Sequence, residues 1–138
     1  MWLYLDDKEE RVPFASHNTG KGLGLKYSNN SDWTIVRNFD DFKSAIDTYG
    51  KHITVVSFDH DIHSYSDGVE MTGKNAAEYL TNYCQDNNLK LPGFYVHSSN
   101  TPGIKNIVGW MSGYLKSIEG IEIKNTAIRG YIDGDYFY

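Results

Sequence analysis

Cysteine is almost absent: Cys84 is the one thiol in 138 residues. That excludes an internal disulfide framework and the small secreted scaffolds that depend on one. Long apolar runs are missing as well. No stretch approaches the roughly 20 residues a membrane helix needs, and none has the length and flanks of a signal peptide. The expectation is a cytoplasmic protein with no membrane partner. Positive charge is in deficit, with 13 Lys and Arg against 18 Asp and Glu, a formal net charge of −5. Gripping long nucleic acid through its phosphates takes a basic face, so no long nucleic acid is expected, while a small nucleotide or a chain end stays open. No internal repeat or low-complexity segment occurs, and the length predicts one domain with a proper core.

What is present is organised around the run ITVVSF at 53–58, followed at once by Asp59, His60 and Asp61. Six β-branched and aromatic-rich residues have the composition of a buried strand, and such a strand cannot continue through two carboxylates unless they sit at its end. Two other strands end similarly: WLYL at 2–5 runs into Asp6 and Asp7, and FYV at 94–96 runs into His97, Ser98, Ser99 and Asn100. In open α/β sheets, ligands bind in the crevice outside the carboxyl ends of the strands.

Between these strands the pattern alternates. Residues 8–31 carry no helical period and predict a long irregular first loop, with Gly20, Lys21, Gly22, Leu23 and Gly24 as a mobile lid. WTIV at 33–36 predicts a strand, and Phe39, Phe42, Ala45, Ile46 and Tyr49 recur at helical spacing up to Gly50. After a loop at 62–71, Thr72 is placed to cap a helix with Ala76, Ala77, Leu80, Tyr83 and Cys84 on its inner face. Pro92 keeps that helix from the next strand. Asn100 or Thr101 caps a further helix, with Pro102 in its first turn and Ile104, Ile107, Val108, Met111 and Leu115 inward, ended by Gly120. IEIK at 121–124 alternates as a half-exposed strand, and 126–132 pairs with it or wraps the edge. This order predicts an α/β, flavodoxin-like three-layer sandwich with a mostly parallel sheet in which the first, third and fourth strands are adjacent.

That adjacency brings Asp6, Asp7, Asp59, Asp61, His97 and Ser98 to one mouth. Four carboxylates there repel one another unless a cation is shared, so Asp6, Asp7, Asp59 and Asp61 are the candidate ligands of a hard divalent ion, Mg²⁺ or Mn²⁺. The bland alternative is that single aspartates cap turns or face solvent. His60, between two carboxylates, and His97, beside hydroxyls, are the candidate acids; His17, His52 and His63 read as ordinary surface or packed histidines. Ser98, Ser99, Asn100 and the following helix start offer donors for a phosphate, with Lys105 one turn in. Lys74 and Arg129 are weaker phosphate candidates, since charged side chains are usually just solvated.

Taken together, Leu5, Asp6 and Asp7 with Arg11 and Pro13, Trp33 before Val36 and Arg37, the run from Ser57 to Ile62, and His97, Ser98, Ser99 and Asn100 with Pro102, Gly103, Asn106 and Ile107 resemble the cyclic-phosphate-processing receiver-like family. The resemblance covers roughly residues 1–115. It implies a receiver-like domain of the flavodoxin type and a phosphoesterase role on cyclic phosphates in bacterial and phage proteins; the strand or hairpin expected after about 120 lies outside the matched part. It maps the acidic pair onto Asp6 and Asp7, the central acid onto Asp59, and the phosphate contacts onto His97, Ser98 and Asn100. The first crossover lacks the usual helix, a His-Ser pair stands where a lone hydroxyl is usual, and Lys124 is a candidate for the receiver lysine. Three functions follow in order of preference. The first is a metal-dependent phosphoesterase opening a cyclic phosphodiester, on a cyclic nucleotide or an RNA end, with Asp59, His97, His60 and Asp61 carrying the chemistry. The second is a binder that sequesters a cyclic nucleotide messenger, as a phage would against a host defence. The third is a phospho-accepting receiver.

Overall fold

The computed structural model describes residues 1–11 and 33–138. Among these residues, eight strands and three α-helices follow in the order β1 (Trp2–Leu5), β2 (Trp33–Val36), α1 (Phe39–Tyr49), β3 (Val55–Phe58), β4 (Ser64–Ser66), β5 (Val69–Met71), α2 (Gly73–Asp86), β6 (Gly93–Val96), α3 (Thr101–Tyr114), β7 (Gly130–Ile132) and β8 (Asp135–Phe137). The main sheet has six strands in the order β2-β1-β3-β6-β7-β8. Its first four are parallel, and β7 and β8 add antiparallel. The expected α/β, mostly parallel architecture, with β1, β3 and β6 side by side, is what forms. No helix among the described residues is long and apolar enough to cross a membrane.

Strand alternation divides the sheet into two faces. Leu3, Leu5, Val36, Val56, Phe58, Phe94 and Val96 point to one face and form a single core with Phe42 and Ile46 of α1, Ala76 and Leu80 of α2, and Ile107 and Met111 of α3. The three described helices therefore share that face. The other face is aromatic: Val55, Tyr95, Ile132 and Phe137 cluster with Trp2 and Trp33, whose rings meet edge to face at 5.2 Å. Tyr4 and Ser57 fall on this second face by parity, and both are fully buried.

The helix starts are built locally, as their capping residues predict. Asn38 accepts from the Asp41 N–H, Thr72 and Asn75 form a reciprocal capping box, and Asn100 accepts from Gly103 N. Two glycines let helices α2 and α3 approach the end of β3. A Cβ on Gly73 would lie 1.9 Å from the Asp59 carbonyl oxygen, and one on Gly103 would lie 2.4 Å from Cγ of His60. Gly73 N also donates to the His60 carbonyl at 2.8 Å.

Several expectations are corrected. Residues 121–124 form no strand. The end of α3 widens into a π turn, Leu115–Glu119, closed by left-handed Gly120, and Ile121 N bonds back to Leu115 O. Ile123 is buried from this extended loop, which is why its alternation mimics a strand. The place beside β6 goes to β7 instead, where Gly130 admits close contact: a Cβ there would sit 2.5 Å from Phe94 O. Residues 62–71 are not plain loop but contain the β4–β5 hairpin. Of the residues at helical spacing in α1, Phe39, Phe42, Ala45 and Ile46 are buried and Tyr49 is 43 % exposed. The expected loop at 8–31 and its glycine-rich lid lie, from residue 12 onward, outside the described residues.

Candidate functional site

The strand register sets one row of side chains across the sheet. Leu5 pairs with Phe58 and Phe58 with Val96, so the next residues along, Asp6, Asp59 and His97, lie side by side past the carboxyl ends of β1, β3 and β6. Their backbones remain tied, Asp59 N to Leu5 O at 2.9 Å and His97 N to Phe58 O at 2.9 Å. Period-two alternation then turns all three side chains to the aromatic face, above Tyr4, Ser57 and Tyr95. One ligand-capable atom from each of Asp6, Asp59 and His97 lies within 4.8 Å of the others, so this buried cluster could hold a metal ion.

The electrostatics of the row call for positive charge. Asp6 is fully buried and Asp59 only 3 % exposed. Burial, then the charge of Asp6, pushes the Asp59 carboxyl up to about 6. Burial acts on Asp6 too, but hydrogen bonds from His97 and from the Lys8 N–H outweigh it and hold its carboxyl below the ordinary range. Burial also lowers His97 below its usual value despite the adjacent Asp6. Among the described residues, Arg11 Nη1 lies 3.7 Å from Asp6 and 3.9 Å from Asp59, and Lys8 Nζ lies 3.9 Å from Asp7 Oδ2. Asp7 adds a third carboxylate, with Oδ2 against Nδ1 of His63 at 2.8 Å. Its Oδ1 is buried without a hydrogen-bond partner among the described residues. Buried carboxylates whose cationic neighbours among the described residues are part-exposed side chains, with an unclaimed oxygen beside them, are a donor set that suits a cation.

The remaining expected residues lie around this row. His60 is half-buried at the rim, its Nδ1 2.9 Å from Asp61 Oδ1. Asn100 Nδ2 donates to Asp61 Oδ2 at 3.0 Å, so Asp61, exposed over half its side chain, belongs to the rim rather than to the row. Ser98 Oγ accepts from Asn100 N at 3.0 Å, and Asn100 Oδ1 caps Gly103; both side chains are engaged in starting α3. Ser99 and Lys105 are exposed. Lys74 sits over the Trp110 ring at 5.6 Å, and Lys124 is exposed outside any strand.

Five residues take roles that their place in the sequence does not reveal. Arg37 donates to the carbonyls of Asp6, Lys8, Arg11 and Glu9, clamping the loop that carries the acidic pair. Arg11, like Arg37 and Ser57, is marked in the sequence only by the family pattern. His63, read as a surface residue, is exposed yet bonded to Asp7. Ser57 lies 2.8 Å from Nδ1 of His97; a hydroxyl inside an apolar strand was the available signal. Arg129 Nη1 donates to the carbonyls of Ser98 and Val96, bracing the end of β6.

No curated protein and no solved structure matches the chain. A family model described as the cyclic-phosphate processing Receiver domain matches residues 1–113, a span that takes in β1 through β6, all but the last residue of α3, and every residue of the row. With its strand order and its acidic strand ends in place, the chain belongs to the cyclic-phosphate processing Receiver domain family.

Proposed function

We propose that the protein is a metal-dependent phosphoesterase that opens a cyclic phosphodiester, with a cyclic nucleotide or a cyclic phosphate at an RNA end as its substrate. The observation that carries this reading is the buried row of Asp6, Asp59 and His97 at three adjacent strand ends, in a chain whose family is named for cyclic phosphates. Asp6 and Asp59, with Asp7 beside them, would hold the cation, and oxygen donors favour Mg²⁺ or Mn²⁺. Such an ion neutralises a phosphoryl oxygen and acidifies bound water.

The chain's own groups divide the rest of the work. Both ring nitrogens of His97 are engaged, with Ser57 and with Asp6, which leaves it poorly placed to give a proton away. His60 suits that task better. It stands at the rim, and Asp61 on Nδ1 orients the ring while leaving Nε2 for the departing oxygen. The start of α3, with Ser98, Ser99 and Asn100, and Lys105 one turn in, would face the remaining phosphate oxygens.

A panel of cyclic mono-, di- and trinucleotides and RNA cyclic ends, assayed with and without EDTA, tests the reading. Ring opening that needs the divalent ion and disappears in Asp59→Asn is expected. Ligand bound tightly but recovered intact from denatured protein would overturn catalysis in favour of sequestration.

A further inference from the structure

Ser57 is the odd residue of β3. Val55, Val56 and Phe58 around it are apolar and buried, and Ser57 itself has no exposed surface. A hydroxyl so placed is costly unless it is hydrogen-bonded, and its Oγ lies 2.8 Å from Nδ1 of His97. At the opposite end of that ring, Nε2 lies 3.1 Å from Oδ2 of Asp6. The ring has no freedom to turn away: Tyr4 stacks on it with centroids 4.3 Å apart and planes within 7°, and its side chain is 1 % exposed.

The donor and acceptor roles follow from chemistry. An ionised carboxylate only accepts, so the contact with Asp6 calls for the proton on Nε2. Nδ1 is then the acceptor, and a serine hydroxyl is free to rotate and donate to it. We propose that Ser57 is a positioning residue: its hydroxyl donates to Nδ1 of His97, holds the ring as the Nε2–H tautomer, and so aims the Asp6 carboxylate into the row. The inference rests on the reading of Asp6 and Asp59 as cation ligands. It moves His97 out of the ligand set and into the layer behind it, where partners of ligands commonly set affinity.

Nitrogen NMR on protein labelled at histidine, free of metal and near neutral pH, tests the tautomer without any turnover. The expected result is a protonated Nε2 and a bare Nδ1 at His97; a protonated Nδ1 overturns the proposal. Titration with Mn²⁺ tests the aiming. Ser57→Ala is expected to weaken Mn²⁺ binding about tenfold or more and Ser57→Thr to restore most of it, whereas unchanged affinity in Ser57→Ala overturns the positioning role. Should Ser57→Ala fail to fold, the labelled parent decides. A parent that shows the expected tautomer yet binds no Mn²⁺ overturns the cation reading of the site and leaves the hold of Ser57 on His97 standing, so the two failures are told apart.

Discussion

Two aspartates in one row, Asp6 and Asp59, are buried alike but are pushed in opposite directions. Asp6 has donors from His97 and the Lys8 N–H; Asp59 answers mainly to burial and to Asp6, which raise its carboxyl to about 6. A raised carboxylate costs stability wherever it must be ionised in the fold. Relative to an ordinary 3.8, the shift corresponds to about 3 kcal/mol at about 1.36 kcal/mol per unit. In EDTA at pH 7, Asp59→Asn is therefore expected to be more stable than the parent, by an amount approaching that figure. The gap should close as pH falls from about 6 to about 4, because the Asp59 carboxyl is then neutral in both folded and unfolded chains. His97 works the other way: its value is lowered in the fold, so stability is lost as pH falls through its ordinary 6.5. That loss is common to both proteins and cancels in the difference. Denaturant melts of the pair across pH check the prediction, and a gap that does not change with pH contradicts it.

At the scale of elements, the site depends on how closely helices and loops approach the strand ends. Gly73→Ala forces a Cβ onto the Asp59 carbonyl, and overpacking of this kind costs about 1–3 kcal/mol or more. Thermal melts should show that loss, with cation binding weakened alongside. Arg37 holds four carbonyls of the 6–11 loop with one planar guanidinium, a geometry an ammonium does not reproduce. Arg37→Lys is accordingly expected to behave like Arg37→Ala, speeding amide exchange at residues 6–11 while the β3 amides stay protected. Much at this scale was legible in the chain. Thr72, Asn100, Pro102 and Gly120 mark helix ends because capping is local chemistry. Asp67-Gly68 and Asp133-Gly134 are equally local signals: both pairs take positive φ in two-residue hairpin turns, the strongest short-range hairpin signal. By contrast, the failure of residues 121–124 as a strand depends on β7 occupying the edge of β6, a tertiary competition that alternation alone does not register.

For the whole molecule, the decisive feature is register. Tyr4, Ser57 and Tyr95 pair across three strands, and one pleat further on this brings Asp6, Asp59 and His97 together. The sequence showed that acids and a histidine end these strands, which is why their convergence was expected. It does not show which side chains share a face, because that parity is settled only when the strands pair, so it groups Asp61 with the row and marks Ser57 only as part of the family pattern. The core over which the helices pack contains Cys84, 2 % exposed, with burial pushing its thiol up to about 11. Thiol reagents at pH 8 should therefore label it only as fast as the fold opens, and the labelling rate should follow the denaturant dependence of global unfolding; rapid labelling of native protein contradicts the packing described. The central claim, that three strand ends make one cation site, is tested most directly by calorimetric titration of metal-free protein with Mn²⁺. One saturable site is expected in the parent, abolished in Asp59→Asn and weakened in Arg37→Ala; a parent without saturable binding, or an Asp59→Asn protein that binds as the parent does, contradicts the account.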